Sequence, residues 1–233
     1  MKIALISDIH ANFAALQALS TDLERADLVV CLGDFVGYYC QVNEVLDYMR
    51  QRRLICVRGN HDDYLVNGLC EGLPGSVRFG IEYADRVIDA EHRRWLAELP
   101  LTWGGEVAEG LRVLLFHGSP YEPLREYIYA SSVGLSREVE TRALASLSSF
   151  DYDGLFFGHT HRFVLRDEAR PLVLNPGSVG QSREAETRGL ASLALLDTDT
   201  LAVERRLARY DTQQVIDLAR RNDAGDWVYK HLA

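Results

Sequence analysis

Five apolar segments of this 233-residue chain end directly in aspartate, asparagine or histidine. The junctions read Ser7-Asp8-Ile9-His10, Leu32-Gly33-Asp34, Arg58-Gly59-Asn60-His61-Asp62, Phe116-His117-Gly118 and Phe157-Gly158-His159-Thr160-His161. Strands that finish at one edge of a sheet bring the residues after them into one cleft. In three junctions a glycine precedes the polar residue, which allows a sharp turn and leaves room beside a cation. We therefore expect a polar cleft at the carboxyl ends of the strands.

Short apolar runs alternate with amphipathic stretches, as is typical of an α/β protein. The pattern predicts strands over 3–7, 28–32, 54–57, 112–116 and 154–157, and helices over 12–26, 42–53, most of 61–98, and 135–148. The first three strand–helix units predict a parallel sheet. Short strands over 172–174, 190–196 and 201–207 predict a second, more antiparallel sheet, before a closing helix over 212–221 with Thr212 as its N-cap. Residues 1–233 are expected to form one domain.

The chain carries 34 acidic and 25 basic residues, a formal net charge of -9. Non-specific nucleic-acid binding depends on Lys and Arg, so a long nucleic acid is not expected as a partner. A chain of this length can fold without metal staples, so a metal would not be needed merely for folding. No apolar run reaches the roughly 18 residues of a membrane span. The first residues, MKIALIS, are too short for a signal peptide. We predict a cytoplasmic protein without a membrane partner.

Five of the seven histidines lie in the five junctions. A structural role gives no reason for that concentration, whereas divalent cations bind clustered histidines and carboxylates. Mixed nitrogen and oxygen donors suit Mn, Fe, Zn, Co or Ni better than Mg or Ca, and the absence of cysteine from the junctions disfavours a structural zinc. The candidate ligands are Asp8, His10, Asp34, Asn60, His117, His159 and His161. They exceed one tetrahedral shell and suit two cations about 3.5 to 4 Å apart that share a carboxylate.

The motif order DxH, GD, GNHD, HG and GHTH resembles the calcineurin-like metallophosphoesterase superfamily. Within it, Asn175-Pro176-Gly177-Ser178 resembles the signature of the small bacterial and archaeal phosphodiesterase branch. The resemblance implies a four-layer α/β/β/α sandwich, in which two mixed sheets lie between helices. It also implies that Asp8, His10, Asp34 and His161 bind one divalent cation and that Asp34, Asn60, His117 and His159 bind the other. Manganese is the expected metal, and Fe, Zn, Ni or Co are alternatives.

The resemblance further implies hydrolysis of a phosphoester. Two cations lower the pKa of a bridging water, which attacks phosphorus in line with the leaving group. The family counterpart of His61 is the proposed general acid, a role that suits an imidazole because its pKa lies near working pH. Alternatively, His61 could form only a hydrogen bond to a metal-binding residue and take no part in proton transfer. Asp62 either orients a neighbour or caps the following helix, and both interpretations stay open.

Three residues are candidate substrate contacts, namely Asn12, Tyr38 and Arg183. Tyr38 stands where protein serine/threonine phosphatases and symmetrical diadenosine tetraphosphate hydrolases carry a phosphate-binding arginine, four residues after the bridging aspartate. This difference argues against both activities. Arg183 either contacts phosphate or lies in solvent.

An aromatic loop follows His117 closely. In it, Tyr121, Tyr127 or Tyr129 could stack on a nucleobase or an aryl group, line an oligomer interface, or fill a lid. Outside the junctions, His92 and His231 are expected at the surface.

The main hypothesis is a dinuclear metal-dependent phosphodiesterase that acts on a small or nucleotide-like phosphoester. A phosphomonoesterase or a dinucleoside polyphosphate hydrolase would use the same metals. A noncatalytic interaction module is a different class, represented on this fold by a retromer subunit that lacks the histidine matching His61. The presence of His61 favours an enzyme. A metal-dependent sensor and a homo-oligomer both stay open.

Overall fold

The computed structural model describes residues 1–128, 149–168, 170–227 and 232. Its strands are β1 Lys2–Ile6, β2 Leu28–Cys31, β3 Leu54–Cys56, β4 Thr102–Ala108, β5 Leu111–Phe116, β6 Gly154–Phe156, β7 Phe163–Arg166, β8 Leu172–Pro176, β9 Leu190–Asp197 and β10 Val203–Arg209. Its helices are α1 Phe13–Ala18, α2 Ser20–Arg25, α3 Val42–Arg50, α4 Asn60–Asn67, α5 Gly75–Val87, α6 Ala90–Glu98 and α7 Thr212–Arg221. The helix predicted over 135–148 lies outside the described residues.

The strands form two mixed sheets of five strands each. The first sheet has the order β10-β9-β1-β2-β3, and the second has the order β4-β5-β6-β8-β7. Three neighbouring strands are parallel in each sheet, β1-β2-β3 and β5-β6-β8. The remaining strands pair antiparallel. The predicted α/β fold with two mixed sheets flanked by helices is confirmed.

Strand β1 shows why the two sheets stack. Ala4 and Ile6 face the helices, whereas Ile3 and Leu5 face the second sheet, and all four are fully buried. Successive strand residues point to opposite faces, so a strand that is apolar on both faces needs cover on both sides. Each buried Ile or Leu contributes about 1.5 to 3 kcal/mol, which holds β1 and its carboxyl end in the middle of the molecule.

The strands after Pro171 do not form a sheet of their own, which corrects the sequence prediction. β8 joins the second sheet parallel to β6, while β9 and β10 extend the first sheet beyond β1. Strand β9 packs Leu193 against the helices and Leu196 against the second sheet. It is apolar on both faces and therefore takes the interior place beside β1.

The sequence pattern did not predict two of the strands, β4 and β7. Strand β4 forms a hairpin with β5 through Gly110, whose φ of 71° suits glycine. Its residues are mostly exposed or half-buried, so the apolar signal is weak. Strand β7 lies at the opposite edge of the same sheet. Edge strands need less apolar surface than central strands, which explains why both were missed.

Helix boundaries differ from the prediction at both ends of the chain. The helix predicted over 12–26 is two short helices, α1 and α2, because the chain leaves helical geometry at Leu19. Asp211, and not Thr212, is the N-cap of α7, since its carboxylate accepts the Gln214 N–H at 3.0 Å. Within the described residues, no helix has the length and apolar character needed to cross a bilayer.

His92 is buried, contrary to its predicted place at the surface. Only 3% of the residue is exposed. Its Nε2 lies 3.1 Å from a carboxylate oxygen of Asp47, and its Nδ1 lies 3.0 Å from Nη1 of Arg50. The ring therefore links α6 to α3 by polar contacts that a helical pattern cannot reveal. His231 lies outside the described residues.

Candidate active site

The polar residues of the five junctions lie together at the carboxyl ends of the parallel strands. Asp8 and His10 follow β1, Asp34 follows β2, Asn60 and His61 follow β3, His117 follows β5, and His159 and His161 follow β6. None of these eight residues is more than 7% exposed. Both sheets contribute, so the cleft lies where their parallel strands end.

Backbone hydrogen bonds hold the junctions in register beyond the strand ends. The Asp8 N–H donates to the Gly33 carbonyl and the His10 N–H to the Asp34 carbonyl, each at 3.0 Å. In the second sheet, the Gly158 N–H donates to the His117 carbonyl at 2.9 Å. The junctions therefore continue the pairing of their strands and lie side by side.

Five of the eight residues have left-handed backbone geometry. Their φ values are 54° for Asp8, 52° for His10, 59° for Asp34, 67° for His159 and 57° for His161. Such a conformation costs about 1 to 3 kcal/mol at a residue other than glycine and persists only where the surroundings hold it. Its concentration in one cleft is typical of a functional site.

The Asp62 carboxylate holds two junctions together. It accepts the backbone N–H groups of Gly59 at 3.0 Å, Asp34 at 2.9 Å, Phe35 at 2.9 Å and Val36 at 3.2 Å. Burial, followed by the nearby Asp34 carboxylate, raises the pKa of Asp62 to about 7. Asp62 thus caps α4 and also orients the Asp34 junction, so the two interpretations left open by the sequence are both realised.

The Asn175-to-Ser178 signature fastens one junction from each sheet. The Asn175 side-chain amide donates to the Gly158 carbonyl at 2.8 Å. The Ser178 hydroxyl donates to the Asp8 carbonyl, also at 2.8 Å. All four residues are buried, so the signature positions the backbone of the two loops that carry candidate metal ligands.

Three histidines direct Nε2 into the cleft. Nδ1 of His10 faces the Val36 carbonyl at 3.1 Å, Nδ1 of His117 faces the Leu32 carbonyl at 2.6 Å, and Nδ1 of His161 faces the Gln181 carbonyl at 2.6 Å. A carbonyl oxygen only accepts hydrogen bonds, so Nδ1 carries the proton in each ring. In the neutral imidazole, Nε2 then offers its lone pair, which is the arrangement of metal-binding histidines.

One group of donor atoms consists of Asp8, His10 and His161. The two Nε2 atoms lie 3.0 Å apart, and Nε2 of His161 lies 3.3 Å from Oδ1 of Asp8. Nε2 of His10 is also 3.7 Å from Oδ2 of Asp34. Lone pairs that converge this closely repel one another unless a cation lies between them, so these residues fit a divalent cation.

A second group consists of Asp34, Asn60, His117 and His159. Nε2 of His117 lies 3.3 Å from Oδ2 of Asp34, 3.1 Å from Oδ1 of Asn60 and 3.2 Å from Nδ1 of His159. Asp34, His117 and His159 can all reach one ion. The Asp34 carboxylate approaches both groups, as a bridging ligand must.

Three buried side-chain atoms in the cleft that could bind a metal make no hydrogen bond within the described part of the chain. They are Oδ1 of Asp8, Nδ1 of His61 and Nε2 of His159. Buried polar atoms without partners are costly, and clusters of them call for an ion or another ligand. Together with the donor types, these atoms indicate that the residues present fit metal ions.

Burial sets the protonation state of most imidazoles in the cleft. It lowers the pKa values of His10 and His161, that of His61 to about 4 and that of His159 to about 3. All four are neutral at pH 7, the form that binds metals.

His117 differs from the other imidazoles. Burial lowers its pKa, but the carboxylates of Asp34 and Asp8 outweigh burial and raise it to about 9. Binding of a cation by the second group of donor atoms would therefore release a proton from His117.

The sequence pattern of the calcineurin-like phosphoesterase superfamily domain matches residues 1–201. The chain belongs to this superfamily. Protein MJ0912 of Methanocaldococcus jannaschii, which is uncharacterised, is 33% identical over 182 residues that cover 75% of this chain and 68% of that protein. The crystal structure of a metallophosphoesterase from Sphaerobacter thermophilus gives a TM-score of 0.78 at 28% identity, covering 100% of this chain and 98% of the other. Hypothetical protein PH1004 from Pyrococcus horikoshii OT3 shares the fold, with a TM-score of 0.86, 20% identity and the same coverage.

The mouth of the phosphoesterase cleft encloses about 180 Å³. Its lining residues are Asp34, Tyr38, Asn60, His61, Tyr64, Leu73, Pro74, Val77, Tyr127, His159, His161 and Arg183. Tyr38 contacts His10 edge-on, with ring centroids 4.6 Å apart, and its hydroxyl accepts a hydrogen bond from Arg183 at 3.3 Å. Two of the three candidate substrate contacts, Tyr38 and Arg183, thus line the cleft.

Asn12 is in a different position. It is fully buried, and its Oδ1 caps α1 by accepting the Ala15 N–H at 3.1 Å. Its amide nitrogen donates to the Gly180 carbonyl at 2.9 Å. Its side chain therefore hydrogen-bonds within the protein and is not among the described residues that line the cleft.

The aromatic loop reaches the phosphoesterase cleft through Tyr127. This ring stacks on His159 with centroids 3.8 Å apart and is 42% exposed. Tyr121 is 60% exposed and packs against Phe150, and Tyr129 lies outside the described residues.

Arg183 keeps its positive charge at the cleft mouth. Burial lowers its pKa, but Tyr38, Tyr127 and Asp8 outweigh burial and raise it. The guanidinium is therefore a fixed cation held by tyrosine side chains.

Four cleft residues, Tyr64, Leu73, Pro74 and Val77, were missed by sequence reasoning. Tyr64 follows Asn60 by four residues on α4, so helical spacing could have placed it on the same face. Val77 lies on α5 and reads as an ordinary core residue. Only the packing of α5 brings it to the cleft.

Proposed function

We propose that the protein is a dinuclear metal-dependent phosphodiesterase that hydrolyses a small phosphoester. The observation that carries the proposal is the sharing of Asp34 by two groups of converging donor atoms. In this proposal, Asp8, His10, Asp34 and His161 hold one cation, and Asp34, Asn60, His117 and His159 hold the other. Bound cations, manganese by expectation, would supply an activated water and neutralise charge on the phosphoryl oxygens. We treat residues 1–233 as one domain of a cytoplasmic enzyme.

Arg183 binds and orients the phosphoryl group in this mechanism. It is the cation among the described lining residues, and the Tyr38 hydroxyl fixes one of its nitrogens. A guanidinium presents several donors in a plane and so binds phosphoryl oxygens with defined geometry. The choice of a diester over a monoester rests on the resemblance of Asn175-Pro176-Gly177-Ser178 to the phosphodiesterase-branch signature.

His61 handles the proton of the leaving group. Its Nδ1 is buried without a hydrogen-bond partner, while its backbone N–H donates to Oδ1 of Asp34 at 2.8 Å. Water oxygen forms the new bond to phosphorus, the bond to the leaving oxygen breaks, and His61 gives that oxygen a proton. A proton of the attacking water then restores His61. Burial lowers the pKa of His61 to about 4, and an anionic phosphoryl group beside the ring would favour its protonated form.

Turnover of bis-p-nitrophenyl phosphate and of p-nitrophenyl phosphate tests the proposal. The apoprotein is reconstituted separately with Mn, Ni, Co, Zn and Mg. We expect the diester to give the higher kcat/KM. Preference for the monoester would show a phosphomonoesterase, and activity confined to dinucleoside polyphosphates would show a hydrolase of that class. No turnover with any metal would favour a noncatalytic interaction module.

The role of His61 needs its own test, because His10, Asp34 and His61 also offer donor atoms to one ion. His61→Ala is expected to keep two metals per chain and to lose about 100- to 10,000-fold in kcat. Asp34→Ala, as the comparison, is expected to lose metal. Metal content is measured by atomic emission after gel filtration. Loss of a metal from His61→Ala would make His61 a ligand and not the acid.

A further inference from the structure

One side of the outer part of the cleft is mainly apolar. Tyr64, Leu73, Pro74 and Val77 line it beside the buried donor atoms, and we call these four residues the apolar wall. Val77 is only 6% exposed, and Leu73 and Tyr64 are half-buried. Among the described lining residues outside the proposed ligands, polar groups come only from His61, Arg183 and tyrosine hydroxyls.

Close packing of α5 places the wall. A side chain at Gly80 would overlap the backbone nitrogen of Tyr38, so the missing side chain lets α5 approach the Tyr38 loop. Val77 precedes Gly80 by three residues and lies on the same helical face. The contact that seats α5 therefore also brings Val77 to the mouth of the cleft.

The apolar wall lies on the same side of the cleft as His61. Tyr64 shares α4 with His61, and their ring centroids are 6.1 Å apart. Tyr38 contacts the His61 ring at 4.8 Å, and α4 packs against α5, which carries Val77. A leaving oxygen that receives a proton from His61 would place its attached group along this wall.

We propose that the apolar wall is a leaving-group subsite that selects phosphate esters of small apolar or aryl alcohols over esters of nucleosides or sugars. This inference rests on the proposed function, because the leaving group is defined by hydrolysis. It adds a substrate class that the metal ligands do not determine.

The size and chemistry of the cleft support this class. A cavity of about 150 Å³ holds one benzene ring, whereas pockets for drug-sized ligands occupy about 300 to 1,000 Å³. The 180 Å³ enclosed here also includes the space beside Asp34, Asn60, His159 and His161, so it leaves room for only a small leaving group, such as a short alkyl chain or one ring that extends toward the mouth. A sugar hydroxyl against Leu73 or Val77 would lose its hydrogen bonds to water and gain none from these side chains.

Two diesters that differ by one hydroxyl provide the turnover test. Methyl 4-methylphenyl phosphate and methyl 4-(hydroxymethyl)phenyl phosphate release phenols of similar acidity, so the chemical step is matched. We expect kcat/KM to favour the 4-methylphenyl ester by about tenfold, the scale on which apolar pockets discriminate. Equal kcat/KM values would overturn the proposal.

Substitution of the wall identifies its contribution. Val77→Thr keeps the side-chain shape and adds a hydroxyl, so we expect it to reduce the preference to less than about threefold. Val87→Thr is the matched control at the other end of α5, where the side chain is 37% exposed, and should keep the full preference. Leu73→Asn is the second variant if Val77→Thr does not fold. A folded wall variant with the wild-type preference would contradict the assignment.

Binding of phosphonates separates the subsite from the activity. Calorimetry of the manganese-loaded protein should show phenylphosphonate binding about tenfold tighter than methylphosphonate, and Leu73→Asn should abolish the difference. If the difference is present but neither diester is hydrolysed, the proposed function fails and the subsite stands. If both diesters are hydrolysed equally and both phosphonates bind equally, the subsite fails and the function stands.

Discussion

The inner and outer parts of the cleft are built in opposite ways. The inner part takes polar side chains from five strand ends in both sheets, and five of those residues have positive φ. The outer part takes mainly apolar side chains from α4, α5 and their connection, and α5 is an ordinary amphipathic helix. The inner geometry depends on a network of backbone hydrogen bonds, whereas the wall depends on the packing of one helix. Changes to the wall should therefore alter selectivity without disturbing the ligands.

The largest expected effect is at Asp34, where the two donor groups meet. Asp34→Asn removes the negative charge that both groups share, so we expect loss of metal and at least about a thousandfold fall in kcat/KM, which corresponds to about 4 kcal/mol. Metal analysis and diester kinetics measure the two effects. Asp85→Asn, at an exposed position on α5, is the control for the charge change. Full metal content in Asp34→Asn would show that the inner part does not depend on this carboxylate.

Gly80→Ala tests the packing of the outer part. The added methyl meets the backbone of Tyr38 and has no room, so we expect the free energy of unfolding to fall by about 3 kcal/mol. Gly75→Ala on the same helix meets no atom within 4 Å and should change stability by less than about 1 kcal/mol. Urea unfolding of both variants measures the difference. Equal stability of the two would mean that α5 does not press on the Tyr38 loop.

The next smaller effect is at Asp62, which supports the inner part without facing the substrate. Asp62→Asn keeps one acceptor oxygen but turns an amide toward the N–H groups that the carboxylate binds. We expect a loss of about 2 kcal/mol in the free energy of unfolding. Asp63→Asn, the neighbouring residue with a partly exposed ion pair to Arg58, should lose no more than about 1 kcal/mol. A larger loss in Asp63→Asn than in Asp62→Asn would argue against the proposed role of the Asp62 carboxylate in holding the two junctions together.

The inner part could be predicted from the sequence because its information is local. Each junction shows a strand that ends in a polar residue, so placing Asp8 or His159 in the cleft needs only the rule about strand ends. The role of Asp62 needed the structure, since its partners at Asp34 to Val36 lie some 27 residues away. The roles proposed for His61 and Arg183 stay predictions.

The outer part and the strand order could not be predicted, because both depend on distant contacts. Val77 has the pattern of a core residue, and only the contact of Gly80 with Tyr38 brings it to the cleft. The apolar run of β9 indicates that both of its faces need cover, but it does not indicate that the strand pairs antiparallel with β1 and β10. Both ring nitrogens of His92 likewise contact polar side chains of another helix. The charged residues around His92 in the sequence therefore led to the wrong prediction that it is exposed.

The smallest expected effect is at Arg183, on the border of the two parts. Arg183→Lys keeps the positive charge but loses the planar set of donors. An ammonium group cannot donate to the Tyr38 hydroxyl and also bind two phosphoryl oxygens with the geometry of a guanidinium. We expect KM for the diester to rise about fivefold with little change in kcat, because the lost planar donors weaken binding of the substrate and of the transition state alike. Michaelis kinetics measure this, with Arg188→Lys, at an exposed position nearby, as the control. A fall in kcat with unchanged KM would instead assign Arg183 to the transition state and join it to the inner part.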